Sequence, residues 1–234
     1  MEIKELKDKM GTVIIQEYTT KHPIAMIGEE AGICWGADTS NEKKNLKRGR
    51  SCLSSGHMRT AEFPEVYMVL DEYSARVVRE FYTHIAGAPT RLQASTRYID
   101  YEHGFDYIIP HTIKNNPEAK KIYLAAMANI ANNLNLLDDI NIPREDSANL
   151  LPLGMTTKIV VKMNFRTLIS MSNQRMCSRA YWEFRELFKD ISDALSNYSE
   201  EWAELVKEYF KPKCEVMGFC SEEKCCGRKE KKKC

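Results

Sequence analysis

Hydrophobic and polar positions change period several times along the chain, and each change predicts an element. "TVIIQEYTT" (12–20) is rich in β-branched residues and predicts a strand. Pro23 opens a helix, "PIAMIGEEAGICW", because proline is tolerated in a first helical turn. "SNEKKNLKRGRSCLSSG" begins at a Ser/Asn cap, carries mixed charge and stops at Gly56, so it predicts an exposed helix. "EVYMVLDE" (65–72) is a second strand. "SARVVREFYTH" (74–84) sets Val77, Phe81 and His84 at helical spacing behind a serine cap. Asn116-Pro117 starts a long helix through about Leu137, with "IYLAAMANIANNLNLL" as its apolar stripe. Pro152 and Gly154 precede a β-branched strand over 156–163. From Asn164 the pattern is helical almost to Phe210, with Met171 and Ser178-Arg179 as candidate breaks. Strands and helices mix without a βαβ rhythm, which predicts an α+β fold rather than a doubly wound sheet. No G-x-G-x-x-G or Walker loop is present, so nothing supports nucleotide binding through those motifs.

Composition narrows the class only slightly. The 234 residues suit one large domain or two small ones, with 43% hydrophobic and 29% charged residues. Lys+Arg 34 nearly cancels Asp+Glu 33, so no nucleic-acid partner is expected, and any anion site must be a local arrangement of arginines. No run of about 18 apolar residues occurs, which argues against a membrane-spanning helix. The N-terminal "MEIKELKDKMGTVIIQEY" lacks the apolar region of a signal peptide, and a cytoplasmic location is expected. Cys34, Cys52 and Cys177 are scattered among helical segments and read as small core residues.

Two polar clusters carry candidate chemistry. The first is "THIAGAPTRLQASTRY" (83–98). Gly87 and Pro89 break the chain, and Thr90, Arg91, Ser95, Thr96 and Arg97 follow within a few positions. Guanidinium forks and hydroxyls suit a phosphate, but a solvated polar loop has the same composition. The second is "NFRTLISMSNQRMCSRAYWEFR" (164–185). Arg175 and Arg179 lie one turn apart, which costs stability unless an anion or carboxylate sits between them. Glu183, one turn beyond Arg179, offers a surface ion-pair ladder as the alternative.

Those residues resemble the flavin-dependent thymidylate synthases. That family shares R-H-R-x-x-S-x-N-x-x-S-x-R-Y, and Ser95, Arg97 and Tyr98 match its end, with Thr90 at the earlier serine. A second family pattern, N-x-R-x-L…L-R…A-x-W-E-x-R, is met by Asn164, Arg166, Leu168, Arg175, Ala180, Trp182, Glu183 and Arg185. Leu151-Pro152, Thr156, Gly56-His57, Glu62 and "CWGAD" add to the likeness, which covers roughly residues 30 to 190. The chain departs from the pattern at R-H-R, which is Thr83-His84-Ile85. Leu92 stands for the family's asparagine, Phe63 for its second histidine, and Gln93 and Glu80 for a Glu and a Gln.

The resemblance implies an antiparallel or mixed sheet packed with long helices. It implies reductive methylation of dUMP to dTMP, with methylenetetrahydrofolate as carbon donor, FAD as hydride carrier and NADPH as reductant. It makes Arg175 the catalytic residue, placed over the uracil ring. Ser95 and Arg97 would bind the dUMP phosphate with Gln93 and Glu80 nearby. Asn164, Arg166, Ser170 and Arg179 would contact FAD, joined by His84, Thr90 and Arg91. A homotetramer with sites shared between subunits is expected. Two other readings stay open: a flavoenzyme of the same fold acting on another pyrimidine nucleotide, and a non-catalytic nucleotide- or RNA-binding homologue that has lost FAD.

The domain is expected to span 1–210, followed by a Cys/Lys-rich tail over 211–234. Five of the eight cysteines lie in that tail: Cys214, Cys220, Cys225, Cys226 and Cys234. They could bind Zn²⁺, but the spacing is irregular and lacks C-x2-C, so no metal ligand is assigned. A flexible basic tail with exposed thiols is the alternative.

Overall fold

The computed structural model describes residues 11–101 and 104–232. The stretch before Gly11 and the terminal Cys234 lie outside the described residues. The strands are β1 (Thr12–Ile15), β2 (Glu65–Ser74), β3 (Thr90–Gln93) and β4 (Thr156–Asn164). The first helices are α1 (Pro23–Cys34), α2 (Glu42–Ser54), α3 (Ala75–Phe81), α4 (His111–Lys114) and α5 (Pro117–Asp139). The remainder are α6 (Arg144–Ser147), α7 (Phe165–Arg175), α8 (Trp182–Tyr198), α9 (Glu200–Tyr209) and α10 (Lys213–Met217). The strands form one antiparallel sheet in the order β1-β2-β4-β3, giving the α+β architecture that the order of elements predicts.

The two inner strands show why these segments are strands. Alternate residues are buried: Val66, Met68 and Leu70 on β2, and Thr157, Ile159, Val161 and Met163 on β4. The intervening positions carry opposite charges that pair between the strands, Lys158 with Asp71 at 2.6 Å and Lys162 with Glu65 at 2.8 Å. The first strand is shorter than its β-branched run predicts. Beyond Ile15 the chain turns, the Thr19 amide donating to the Gln16 carbonyl at 3.0 Å, and threonine hydroxyls join the Gln16 and Thr20 amides in pairing with β2. Thr19 Oγ1 donates to the Tyr67 carbonyl and accepts from its amide, and Thr20 Oγ1 accepts from the Glu65 amide.

The chain divides into two compact units. Among the described residues the first holds 11–12, 70–80 and 92–159, and the second holds 13–69, 81–91 and 160–232. In the first unit, Ser74 Oγ accepts from the Val77 amide and so starts α3, as the serine cap predicts. Asn116 Oδ1 caps α5 by accepting from the Glu118 and Ala119 amides, with Pro117 in the first turn. That long helix buries only Met127, Ala131 and Leu134, and leaves Ile122, Leu136 and the flanking Ile140 exposed.

In the second unit α1 and α2 approach through glycines. A Cβ on Gly28 would stand 1.8 Å from the Asn45 carbonyl oxygen, and one on Gly49 would stand 2.1 Å from that of Ile24. The helical run after Asn164 is three helices. Met171 is no break; it is fully buried within α7. The chain leaves the helix over 176–181, around Ser178-Arg179, where Arg185 donates to the carbonyls of Ser178 and Ala180 at 2.8 and 2.6 Å. It breaks again at Ser199, whose hydroxyl caps α9 at the Trp202 amide. Phe184, Leu187, Phe188, Ile191 and Leu195 give α8 its buried stripe. Of the three cysteines read as core residues, only Cys52 is buried. Cys34 is exposed and Cys177 half-buried, because they fall at the end of α1 and in the break after α7.

Candidate active site

In the second unit a group of arginines, a threonine and aromatic rings surrounds His84. The turn after α3 brings this imidazole inward, with 8% of its surface exposed. Arg175, the last residue of α7, donates from Nε to His84 Nε2 at 2.9 Å. It also donates from Nη2 to Thr83 Oγ1 at 3.2 Å. Its guanidinium lies over the Phe184 ring, 4.5 Å from the centroid. The same ring packs edge-on against His84 and stacks on Phe81. Arg91 closes the other side, donating to the carbonyls of Phe81 and His84 at 3.3 and 3.0 Å and covering Tyr82.

This arrangement decides the protonation of His84. Burial, then the Arg175 charge, then the Arg91 charge, hold its pKa down at about 4. Arginine can only donate, so Nε2 must carry the lone pair and the imidazole is neutral, with any proton on Nδ1. A neutral acceptor thus orients the permanently charged Arg175, and an aromatic face supports it.

The other residues expected at FAD lie along α7. Asn164 caps that helix, its Oδ1 accepting from the Thr167 amide and hydroxyl at 2.9 Å. The same hydroxyl lies 2.8 Å from the Ala86 carbonyl, and its single proton serves one of the two acceptors at a time. Gly87 is needed at this contact: its φ is +75°, and a Cβ would stand 2.3 Å from Thr167 Oγ1. Arg166 pairs with Glu62 at 2.5 Å. Ser170 follows Arg166 by one turn on the exposed face of α7. Arg179, in the break after α7, pairs with Glu222 at 3.2 Å. Glu183 is fully buried in α8, so the two do not form a surface ladder. Ser170 and Arg179 line a cavity of about 540 Å³ whose other wall is the C-terminal segment. Thr90 is exposed at the start of β3, where composition alone predicts only a loop.

The residues expected at the nucleotide phosphate lie in the first unit. Glu80 is half-buried near the end of α3, and Gln93 ends β3, its amide 3.5 Å from Thr157 Oγ1. Ser95 begins a turn, with its Oγ accepting from the Arg97 amide at 3.3 Å and its carbonyl accepting from Tyr98 at 3.1 Å. The Arg97 side chain is exposed and pairs with Glu145 at 3.2 Å. The structure thus gathers Arg175, His84 and Arg91 around one imidazole, strings Asn164, Arg166 and Ser170 along α7, and keeps Ser95 and Arg97 on one turn.

Residues 15–198 match the family model described as thymidylate synthase complementing protein. The chain belongs to this family. It is similar to the flavin-dependent thymidylate synthase of Nitratidesulfovibrio vulgaris, 28% identical over 207 residues, covering 83% of this chain and 82% of the relative. The corresponding protein of Pyrococcus furiosus is 27% identical over 231 residues, covering 91% and 90%. Among solved structures, the flavin-dependent thymidylate synthase of Helicobacter pylori complexed with FAD and dUMP superposes with a TM-score of 0.68 at 18% identity, over 86% of this chain and 100% of that one. A UMP/dUMP methylase from Streptomyces cacaoi bound with 5-Br dUMP gives 0.70 at 15% identity, over 85% and 95%. At these identities the two structures establish the fold. Among the described residues no helix is long and apolar enough to cross a membrane.

Several supporting residues of this family member escape a reading of the sequence. Thr83 and Phe184 hold Arg175, yet each looks like an ordinary neighbour of a motif residue. Arg185 belongs to the A-x-W-E-x-R pattern, but its task as brace of the 176–181 turn shows only in its contacts.

Proposed function

We propose that the chain catalyses reductive methylation of dUMP to dTMP, with methylenetetrahydrofolate as carbon donor, FAD as hydride carrier and NADPH as reductant. The observation that carries this reading is Arg175. Neutral His84 and the Phe184 ring fix a charged, planar donor at the end of α7, within the segment that matches the family model. Such a preorganised cation stabilises negative charge as it develops on a pyrimidine ring.

The donors present fit an extended dinucleotide. Asn164, Arg166 and Ser170 offer amide, guanidinium and hydroxyl groups along α7, whose eleven residues span about 16 Å. Arg179 lies beyond its C-terminal end. Those four residues would hold FAD, with His84, Thr90 and Arg91 supporting. FAD when bound supplies the hydride chemistry; the protein supplies position and charge. Arg91 already commits two N–H groups to the Phe81 and His84 carbonyls, so a ligand would use those that remain. Ser95 and Arg97 would bind the nucleotide phosphate, with Gln93 and Glu80 close to the same ligand. The Arg97–Glu145 pair is exposed and therefore worth about 1 kcal/mol or less, which a phosphate can replace.

A homotetramer with shared sites is part of this proposal. Exposed Ile122, Leu136, Ile140, Leu92 and Tyr98 support it, since they supply apolar surface that a subunit contact would cover. The likeness to a UMP/dUMP methylase favours a second reading, methylation of another pyrimidine nucleotide. The test is a flavin spectrum of the purified protein, followed by product analysis with dUMP, UMP and dCMP in the presence of the folate and NADPH. Arg175→Ala is expected to abolish dTMP formation with an unchanged circular dichroism spectrum. Turnover retained in that variant would refute the role of Arg175.

A further inference from the structure

The C-terminal segment lies beyond the family match, which ends at residue 198. It runs against α7 and the turn that follows that helix. Two contacts hold it there. Arg228 donates to the Met176 carbonyl at 3.1 Å, and Arg179 pairs with Glu222 at 3.2 Å. The segment also pairs with itself, Cys220 forming a parallel bridge with Lys231. Between the segment and α7 lies the cavity of about 540 Å³. That size falls within the range of about 300–1,000 Å³ usual for small-molecule sites.

The cavity wall is strongly cationic. Arg179 comes from the turn after α7, and Lys213, Lys224 and Arg228 come from the C-terminal segment. Among the described residues that line it, Glu222 is the one carboxylate, and it is the partner of Arg179. Both members of that pair are about half exposed, so the pair is weak and replaceable. Among the described residues neither Lys213 nor Lys224 has a carboxylate partner. Four cations around one carboxylate repel each other and favour a bound anion. Uncharged donors complete the wall. The Ser170 hydroxyl and the Gln174 amide stand one turn apart on α7, and Ser221 adds a hydroxyl from the segment. Guanidinium, ammonium, hydroxyl and amide groups together are what the oxygens of a phosphate accept from.

We propose that this cavity binds the diphosphate of a dinucleotide, and that Lys213, Lys224 and Arg228 complete the site that Ser170 and Arg179 begin. The inference rests on the reading of Ser170 and Arg179 as FAD contacts. Glu222 holds Arg179 until the phosphate takes its place. Two guanidinium groups of the family's R-H-R are missing at Thr83 and Ile85, and the segment outside the family match brings three cations of its own. FAD and NADPH both carry a diphosphate, and the same donors suit either.

Titration of the full-length protein, freed of copurifying flavin, tests this with FAD and with NADPH, each followed by its own fluorescence. Lys213→Ala combined with Lys224→Ala should weaken FAD binding about tenfold, and salt at about 0.5 M should erase most of that difference. Glu222→Gln should tighten FAD binding about threefold, which the loss of a merely structural ion pair would not do. Lys189→Ala removes an exposed lysine of α8 and should leave the affinity unchanged. Lys213 and Lys224 are exposed, so the double variant should fold, as circular dichroism will check. Weaker NADPH binding with FAD binding unchanged would support the proposal and assign the cavity to NADPH. Unchanged affinity for both ligands in the double variant would overturn the proposal and leave the FAD reading standing. A wild-type chain that binds neither ligand would overturn that reading as well.

Discussion

His84 makes stability depend on pH in a direction that the structure fixes. In the unfolded chain its pKa is the ordinary 6.5; in the folded chain burial and the charges of Arg175 and Arg91 hold it at about 4. Between those values the unfolded chain binds the proton and the folded chain does not. Stability is therefore full above about pH 6.5 and is lost as pH falls toward 4. The whole gap corresponds to about 3 kcal/mol, and about 2 kcal/mol of it is lost between pH 7.5 and 5.0. Protonation would also set a cationic donor against Arg175 Nε, where the neutral ring now accepts. His84→Gln removes the titration and keeps an oxygen able to accept from Arg175. Urea unfolding of both proteins at the two pH values isolates the effect from every other titrating group. The wild type should lose about 2 kcal/mol more than the variant. Equal losses would refute the reasoning, as would an NMR titration of His84 with its midpoint near 6.5 or with the proton on Nε2.

Three further substitutions test how the second unit is held. Gly28→Ala places a methyl against the Asn45 carbonyl where α1 meets α2, and should cost about 3 kcal/mol in urea unfolding. Glu201→Ala removes the carboxylate that accepts from the Ile24 and Ala25 amides at 2.6 and 3.0 Å, and should cost about 2 kcal/mol in the same assay. Gly87→Ala imposes a side chain at φ +75° against Thr167 Oγ1 and should cost about 2 kcal/mol, read as a lower midpoint in calorimetry.

The elements that local rules predict well are those whose signals are local. Pro23, Asn41, Ser74, Asn116 and Asn164 each open a helix, because proline in a first turn or an oxygen at a cap acts within three or four residues. The errors arise where a distant partner decides. The first strand ends early, and Thr19 and Thr20 then reach β2, some forty-five residues away in sequence, through their hydroxyls and the Thr20 amide. Residues 90–93 become a strand despite their polarity because they join the sheet next to β4. Ser178-Arg179 marks the break after α7 correctly, but Met171 does not, because packing buries it fully within the helix; the brace of the turn, Arg185 reaching back to Ser178 and Ala180, shows only in the contacts.

The same distinction applies to Thr83-His84-Ile85, where the family's R-H-R leads one to expect two arginines. The histidine that remains is the residue whose task depends on its neighbours: buried, neutral, accepting from Arg175. Any cation added beside it would push its pKa lower still and compete with Arg175 for the same surroundings. Threonine at position 83 instead offers Oγ1 to Arg175. Arg91 does not simply restore the missing charge to the surface. It turns inward to the Phe81 and His84 carbonyls and holds the shape of the turn. Ile85 is left 74% exposed where the pattern has a guanidinium. The departure thus exchanges surface charge for internal bracing while keeping the one cation, Arg175, on which the proposed chemistry depends.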